Sequence, residues 1–227
     1  EYALEILSKS WYLVLSGIMI SIYTQMDKIM LGNMLPSKSE LGVYSAATAI
    51  AQMWYFIPIA IIVSFKPVIM SQKKTNHNKY IDLLQFLFTI VAWIGIFFGI
   101  AISLFSNVIV MILYGESFIK AASILSISVW AGSFAILGSA RSIWLISEGL
   151  QKYTIVYSLF GMIVNLSLNL LLIPDFMGYG AAIATLVSQF SGNVIALLFF
   201  RDTRNSSIMI IKAFSPFKLI EYIKKIA

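Results

Sequence analysis

The chain has 227 residues, of which 59% are hydrophobic and 11% are charged, and its mean hydropathy is +0.88. Soluble domains are about 45–50% apolar and about 25% charged, so this composition excludes an ordinary water-soluble protein. The net charge of +6 lies in short clusters between apolar runs, which argues against a nucleic-acid partner, and the lack of cysteine excludes disulfides and thiolate metal sites. The predicted class is an all-α integral membrane protein.

Six segments of the chain are long and apolar enough to be predicted transmembrane helices. Such a helix needs about 20 mainly apolar residues to cross about 30 Å of hydrocarbon. The predicted spans are residues 11–34, 41–65, 84–105, 120–146, 153–173 and 179–200. The third belongs to an uncharged run from Leu83 to Gly115, which is too long for one crossing and too short for two. We place its break at Ser106 and Asn107, followed by a short interfacial turn.

The cationic residues predict the orientation of these spans. With the N-terminus in the cytoplasm, thirteen of the 16 lysines and arginines fall in cytoplasmic segments, Lys38 and Lys120 fall on the opposite side, and Lys28 lies inside the first span. The thirteen are Lys9, Lys66, Lys73, Lys74, Lys79, Arg141, Lys152, Arg201, Arg204, Lys212, Lys218, Lys224 and Lys225. By the positive-inside rule, residues 1–200 are predicted to cross the membrane six times with both ends cytoplasmic.

The remaining tail, residues 201–227, is predicted not to form a seventh span, because Pro216 interrupts it and charges are scattered through it. Phe217, Ile220 and Ile223 recur at helical spacing, with lysines elsewhere on the circumference. This pattern is typical of a basic amphipathic helix lying on an anionic inner leaflet. A frayed basic tail is the alternative.

Two charged residues lie in the outer half of the first span. Asp27 and Lys28 are adjacent, so they point about 100° apart on a helix and do not form a stacked pair. A charge near the centre of the bilayer costs about 2.5–3.5 kcal/mol on insertion scales and usually faces the bundle interior or a wet cavity. We therefore interpret Asp27 as a functional group. For Lys28, the alternative is that its side chain extends outward to the lipid headgroups.

A third charged residue, Arg141, interrupts the fourth span, with apolar residues still following it. If the helix continues, the guanidinium lies one or two turns inside the cytoplasmic boundary. Arginine stays charged and binds phosphate through two parallel hydrogen bonds, so Arg141 is a candidate for binding an anionic group. An ordinary positive-inside anchor is the alternative.

The last two spans carry small and amide side chains at a spacing of about four residues. In the sixth span these are Gly180, Ala184, Ser188, Gly192 and Ala196, with Thr185, Gln189 and Asn193 beside them. In the fifth span they are Ser158, Gly161, Asn165 and Asn169. Small residues allow close helix packing in lipid, so the two spans are predicted to pair. The amides then serve either as hydrogen bonds between helices or as the lining of a polar cavity for hydroxyl-rich cargo.

Other residues favour neither an enzyme nor a cofactor. The single histidine, His77, lies in a basic loop without neighbouring metal ligands, and no Gly-rich phosphate-binding loop with a lysine is present. Tyr153 and Tyr157 lie near a predicted membrane boundary, where amphipathic rings are common, and we interpret them as interfacial anchors.

Two segments carry a resemblance to a known family. The first contains the pattern D-x-I-M-L-G at residues 27–32, followed by G-x-Y-x-A-A at residues 42–47. The second contains P-x-x-x-G-x-G-A-A-I-A-T at residues 174–185. Both resemble the polysaccharide-export flippases of the multidrug/oligosaccharidyl-lipid/polysaccharide exporter superfamily, in particular the O-antigen (Wzx-type) flippases. The similarity extends along most of the chain in the order of spans.

The resemblance implies an architecture and a cargo. Members have about twelve spans in two six-helix halves, and this chain looks like the C-terminal half, beginning near the seventh helix. The implied cargo is undecaprenyl pyrophosphate carrying an oligosaccharide, an O-antigen or capsule repeat unit, moved from the cytoplasmic to the periplasmic leaflet of a bacterial inner membrane. The implied partners are membrane lipids, the missing N-terminal half of the same transporter and polysaccharide polymerase machinery.

The resemblance also implies roles for the polar residues. Arg141 and Lys28 would contact the anionic headgroup, and Asp27 would couple transport to Na⁺ or H⁺ during alternating access. The side chains that would hydrogen-bond to sugars are Gln52, Asn165, Asn169, Gln189 and Asn193. Two alternatives stay open: a MATE-like cation or drug antiporter of the same superfamily, and a non-transporting membrane scaffold of a polysaccharide-synthesis complex. A membrane glycosyltransferase is disfavoured because no acid/base pair is evident.

Overall fold

A computed structural model describes residues 2–226 of the chain. The side chains of residues 2–10, 13, 23, 225 and 226 lie outside the described part, as do the terminal residues of the predicted bundle and tail, Glu1 and Ala227. The side chains of Lys9 and Lys225, two of the cations in the topology prediction, therefore lie outside the described residues. Every regular element within the described part is helical.

The helices follow one another with short connections. In chain order they are α1 (Tyr2–Met34), α2 (Ser39–Gln52), α3 (Phe56–Thr75), α4 (His77–Tyr114), α5 (Ala121–Ser147), α6 (Lys152–Phe190), α7 (Arg204–Ala213) and α8 (Pro216–Ile226). A 3-10 turn, Met53–Tyr55, joins α2 to α3, and another, Glu116–Phe118, precedes α5. A π-helical turn, Ser191–Ile195, and a 3-10 turn, Ala196–Phe199, extend α6.

Four helical segments of the described chain are long and apolar enough to cross a membrane. They are Ser39–Thr75, His77–Tyr114, Ala121–Ser147 and Lys152–Phe199. The chain is thus a helical protein with several candidate membrane spans. The count of six spans and their orientation stay predictions.

The longest of these segments turns back on itself. Its 48 residues would measure about 72 Å as a straight helix, more than twice the hydrocarbon thickness. Pro174 and the non-helical backbone of Met177 (φ 51°, ψ −132°) interrupt it. A Cβ atom on Gly180 would lie 2.5 Å from the carbonyl oxygen of Leu172, so a glycine is required where the chain reverses. The two arms, residues 152–176 and 178–199, lie side by side as the small residues predict.

One sequence prediction about α4 is wrong. The helix does not break at Ser106 and Asn107 but continues to Tyr114. The Ser106 hydroxyl donates a hydrogen bond to the carbonyl oxygen of Ser103, 3.1 Å away within the same helix, so it does not compete with the helical backbone. The helix ends instead at Gly115, whose φ of 77° suits a residue without a Cβ.

The tail forms two helices with different surroundings. Helix α7 is packed into the bundle: the Gln85 side chain donates to the carbonyl oxygen of Met209 at 3.0 Å, and Ser207 donates to that of Val194 at 3.0 Å. Helix α8 lies against the first turns of α4, and the Tyr222 hydroxyl donates to a carboxylate oxygen of Asp82 at 3.0 Å. Three apolar side chains of α8, those of Phe217, Ile220 and Ile223, remain exposed.

Candidate functional site

Two adjoining cavities lie among α1, α2, α5 and α6. The Arg141 cavity has a volume of about 230 Å³, and the Asp27 cavity has a volume of about 320 Å³. Thr24, Ala135 and Gln189 line both cavities, so the two lie side by side within the bundle, and each has polar side chains in its lining.

The structure gathers most of the residues that the sequence singles out at this space. Arg141, Gln189 and Asn193 line the Arg141 cavity. Asp27, Lys28, Gln52 and Gln189 line the Asp27 cavity. Asn165 and Asn169 line neither cavity; they are fully buried and point at Asp27.

Asp27 is a buried carboxylate surrounded by neutral donors. Its exposed fraction is 1%, and four side chains from α2 and both arms of α6 donate hydrogen bonds to it. Tyr44 donates to Oδ2 at 2.6 Å and Thr185 donates to the same oxygen, while Asn169 and Asn165 donate to Oδ1 at 2.6 and 3.1 Å. Among the described residues, no lysine or arginine forms an ion pair with it. Within the described part of the chain, the contacts of this carboxylate are therefore with dipoles rather than with a paired cation.

The fold explains why these side chains meet. Asn165 and Asn169 are one helical turn apart. The reversal of α6 brings Thr185 opposite them, with the Thr185 hydroxyl oxygen 3.4 Å from Asn165 Nδ2. The Oδ1 atom of Asn169 is buried without a hydrogen-bond partner in the described part of the chain. Tyr44 was not predicted as a site residue, although the G-x-Y-x-A-A pattern contains it.

Arg141 is held by the backbone and by an aromatic ring. It is 5% exposed, its Nη1 donates to the carbonyl oxygen of Asn193 at 3.1 Å, and its guanidinium lies 4.7 Å above the centre of the Tyr157 ring. Helix α5 continues to Ser147, so Arg141 lies about 9 Å before its end. Tyr157 was interpreted as an interfacial anchor, but it is buried beneath Arg141.

A π-helical turn shapes the surroundings of Arg141. Such turns change the backbone hydrogen-bonding register and are frequent at functional sites. Asn193 lies in this turn, and its side chain comes so close to α5 that a Cβ on Gly138 would lie 2.2 Å from its Oδ1. The Asn193 side chain also donates to Gln189 Oε1 at 2.9 Å. Thr185, Gln189 and Asn193 therefore form a polar row from Asp27 to Arg141.

A second cluster of polar residues lies just beyond the C-terminal end of α5, around Glu148. Glu148 accepts hydrogen bonds from Lys73 and, at 2.8 Å, from the Tyr80 hydroxyl, and thereby ties α3, α4 and the turn after α5 together. Partial burial acts to raise the pKa of Glu148, but the hydrogen bonds from Lys73 and Tyr80 outweigh it and hold that pKa below its ordinary value. This cluster was not expected from the sequence.

A metal cofactor has no obvious site here. In the part of the chain that the structure describes, no three His, Asp or Glu side chains converge. A cation bound near Asp27 would therefore rely on one carboxylate together with amide and hydroxyl oxygens.

Comparisons with known proteins give the chain a family. Residues 1–123 match the family described as polysaccharide biosynthesis protein. The chain is 28% identical over 180 residues to a probable flippase, AglR, from Haloferax volcanii, an alignment that covers 77% of this chain and 37% of that relative. It is also 28% identical over 194 residues to a probable low-salt glycan biosynthesis flippase, Agl15, of the same organism, covering 82% of this chain and 39% of the relative.

The extent of these matches defines what they support. The chain spans less than half the length of both relatives, and no solved structure matches it. The family match nevertheless covers more than half of this chain, and the two relatives agree with it. The chain therefore belongs to the polysaccharide biosynthesis protein family, and the resemblance to flippases of the multidrug/oligosaccharidyl-lipid/polysaccharide superfamily is confirmed.

Proposed function

We propose that the chain forms one half of a flippase that moves undecaprenyl-pyrophosphate-linked oligosaccharide between leaflets by ion-coupled alternating access. The observation that carries this proposal is the pair of adjoining cavities at Asp27 and Arg141, which place a buried carboxylate, a buried guanidinium and several amides next to each other. Hydroxyl and phosphate groups cannot cross hydrocarbon without replacing their hydrogen bonds, so a flippase needs a polar space of this kind. Neither catalysis nor a cofactor is required.

Arg141 is proposed to bind the anionic headgroup. Serine hydroxyls surround it in the cavity, and a guanidinium binds phosphate oxygens through two parallel hydrogen bonds. Lys28 lines the adjoining cavity and is proposed as a second cationic contact. Gln52, Gln189 and Asn193 supply amides for hydrogen bonds to sugar hydroxyls in the two cavities.

Asp27 is proposed to bind the coupling ion. A buried carboxylate without a cation gains most by taking up a proton or a small hard cation. Hard cations prefer carboxylate, amide and hydroxyl oxygens. The Thr185 hydroxyl oxygen lies beside the carboxylate, and Asn165 and Asn169, whose Nδ2 atoms donate to Asp27, carry amide oxygens on the same side chains. The unpartnered Oδ1 of Asn169 supports this role, so we assign the two asparagines to the ion rather than to the sugars.

The second half of the transporter is proposed to cover an open face of α1. Here Ser21 and Gln25 are exposed next to the exposed apolar side chains of Ile18 and Ile22. Polar groups on such a face need a partner or a wet cavity in the membrane. The relatives are more than twice as long as the segment they share with this chain, which leaves room for a second six-helix half.

The tail helix α8 is proposed to lie on the anionic cytoplasmic surface. Phe217, Ile220 and Ile223 are 84%, 49% and 55% exposed, and Lys224 is exposed beside them. Spin labels at positions 217 and 220 should be shielded from an aqueous relaxation agent in phosphatidylglycerol vesicles, whereas a label at the exposed Glu221 should not. Equal accessibility at all three positions would show a tail free in water.

A flipping assay tests the proposed transport. The chain is reconstituted with the six-helix half that completes the transporter, and movement of a fluorescent undecaprenyl-pyrophosphate oligosaccharide is followed. Arg141→Ala should weaken cargo binding by at least about tenfold, since hydrogen bonds to charged groups contribute about 1.5–3 kcal/mol. Arg141→Lys should retain part of the activity. Flipping unchanged in Arg141→Ala would remove the headgroup role, and no flipping by the wild type would favour the scaffold.

A further inference from the structure

The tail helix α7 contacts the same turn of α6 that holds Arg141. Asn193 and Val194 are consecutive residues of the π-helical turn Ser191–Ile195. Arg141 Nη1 donates to the carbonyl oxygen of Asn193 at 3.1 Å. The hydroxyl of Ser207, on α7, donates to the carbonyl oxygen of Val194 at 3.0 Å. Two neighbouring peptide groups of this turn are therefore held by side chains from two different helices, α5 and α7.

Helix α7 is fixed in the bundle by packing and by a hydrogen bond. Met209 and Ile210 are buried in the hydrophobic core, and the Gln85 side chain of α4 donates to the carbonyl oxygen of Met209 at 3.0 Å. Ser207 is completely buried. A buried hydroxyl has exchanged its hydrogen bonds to water for one within the protein, so its bond to the π-helical turn is costly to lose. Contacts thus run from α4 through α7 to this turn.

The backbone of the turn depends on such contacts. The Ala196 N–H donates to the carbonyl oxygen of Ser191, five residues earlier, whereas an α-helix bonds four residues earlier. The next residues form a 3-10 turn, in which an N–H bonds three residues earlier. Because the hydrogen-bonding register changes twice over residues 191–199, side chains that bind carbonyl groups here help to select the register.

In its present register, the π-helical turn orients the guanidinium group of Arg141. A guanidinium carries five N–H donors in one rigid plane, so fixing one of them on a carbonyl oxygen limits the directions of the others. The Tyr157 ring, whose centre lies 4.7 Å from Arg141 Cζ, limits the tilt of the same plane. A donor that is oriented before its ligand arrives loses less conformational entropy on binding.

We infer that Ser207 is a positioning residue for binding of the anionic headgroup: it fixes the π-helical turn, and the turn orients Arg141 towards the cargo. The inference rests on the proposed function of Arg141 and adds the tail helix α7 to the support of that site. Ser207 does not line the Arg141 cavity, so it acts through the turn and not by touching the cargo.

Flipping kinetics of the reconstituted two-half transporter test this role. The initial rate is measured against the fraction of fluorescent undecaprenyl-pyrophosphate oligosaccharide in the vesicles. Ser207→Ala should raise the half-saturating fraction about fivefold, the factor equivalent to one neutral hydrogen bond, with little change in the maximal rate. Ser206→Ala is the matched control, because Ser206 is equally buried but donates to the carbonyl oxygen of Thr203, outside the turn. It should lose similar thermal stability and keep the wild-type half-saturating fraction.

A double-variant cycle separates positioning from a general loss of stability. Arg141→Lys keeps the positive charge but replaces the planar guanidinium with an ammonium group. If Ser207 acts through the guanidinium, adding Ser207→Ala to Arg141→Lys should raise the half-saturating fraction no further. Equal effects of the two serine variants, or losses that add in the double variant, would overturn the inference while the proposed function stands. A wild type that does not flip the cargo would overturn both.

Discussion

Asp27 and Glu148 are both shielded carboxylates, yet their surroundings differ in kind. Asp27 is almost completely buried, and among the described residues its hydrogen-bond donors are all neutral groups. Glu148 is only partly buried and accepts from the ammonium group of Lys73 as well as from Tyr80. The charge of Glu148 is paired with that of Lys73, whereas Asp27 has no ion pair among the residues that the structure describes.

This difference separates a structural role from an exchangeable one. A carboxylate that is already paired gains little from another cation, so Glu148 is suited to hold helices together. A dehydrated carboxylate surrounded by dipoles gains a great deal when a cation or proton arrives. The electrostatic surroundings of each group therefore indicate its role, although the two side chains have the same chemistry.

Removing the Asp27 carboxylate should produce the largest effect. In Asp27→Ala, the side chains of Tyr44, Thr185, Asn165 and Asn169 lose their shared acceptor. Each buried donor left unpaired costs about 1–3 kcal/mol, so we expect a loss of at least about 3 kcal/mol in stability. Thermal unfolding in detergent measures it, with Asp175→Asn in the exposed turn of α6 as the control.

The isosteric change tests coupling rather than folding. Asp27→Asn keeps the size of the side chain and one acceptor oxygen, so the fold should survive while the ion gradient no longer drives flipping. A variant whose flipping still follows the Na⁺ or H⁺ gradient would make Asp27 a structural group like Glu148.

Much of the fold was predictable because long apolar stretches of sequence indicate candidate membrane-spanning helices. The reversal of α6 was also predictable, since Gly180 and Pro174 stand at its turn and small residues follow on one face. The length of α4 was not predictable in this way. Hydropathy alone does not tell whether a helix ends or continues at a polar pair such as Ser106 and Asn107. In the structure the Ser106 hydroxyl is accommodated inside the helix, where it donates to the carbonyl oxygen of Ser103.

The site was predictable as a set of residues but not as an arrangement. Residue type and spacing single out Asp27, Asn165 and Asn169, because polar side chains within a membrane span are costly unless they have partners or a function. Their convergence depends on the reversal of α6, which brings distant turns together. Tyr157 was misinterpreted because a tyrosine near a membrane boundary is usually interfacial, and only the tertiary packing reveals the arginine above it.

A smaller effect on flipping is expected from a substitution at Gly138. This substitution tests how the Arg141 cavity holds its arginine, as the Asp27 substitutions test the carboxylate. Gly138→Ala places a methyl group against the Asn193 side chain and should displace it from Gln189, slowing flipping with little loss of stability. Asn193→Ala removes the obstructing side chain but keeps the carbonyl group that binds Arg141. In the double variant the methyl group fits, so its flipping rate should equal that of Asn193→Ala alone. Strictly additive losses would show that the two positions act independently.

The smallest effect is expected at Glu148, where the charge is already paired. The pKa of Glu148 is lowered in the folded state, so its ionised carboxylate stabilises the fold at every pH above the ordinary carboxyl pKa. This stabilisation is lost as the pH falls through the lowered folded-state pKa. The wild type should therefore lose about 1 kcal/mol between pH 7 and about pH 3, since partly exposed pairs contribute little. Glu148→Gln should lack this part of the pH dependence, as followed by thermal unfolding in detergent, whereas Glu116→Gln at an exposed position should retain it. If Glu148→Gln instead altered the gradient dependence of flipping, as expected for Asp27→Asn, the distinction between the two carboxylates would be lost.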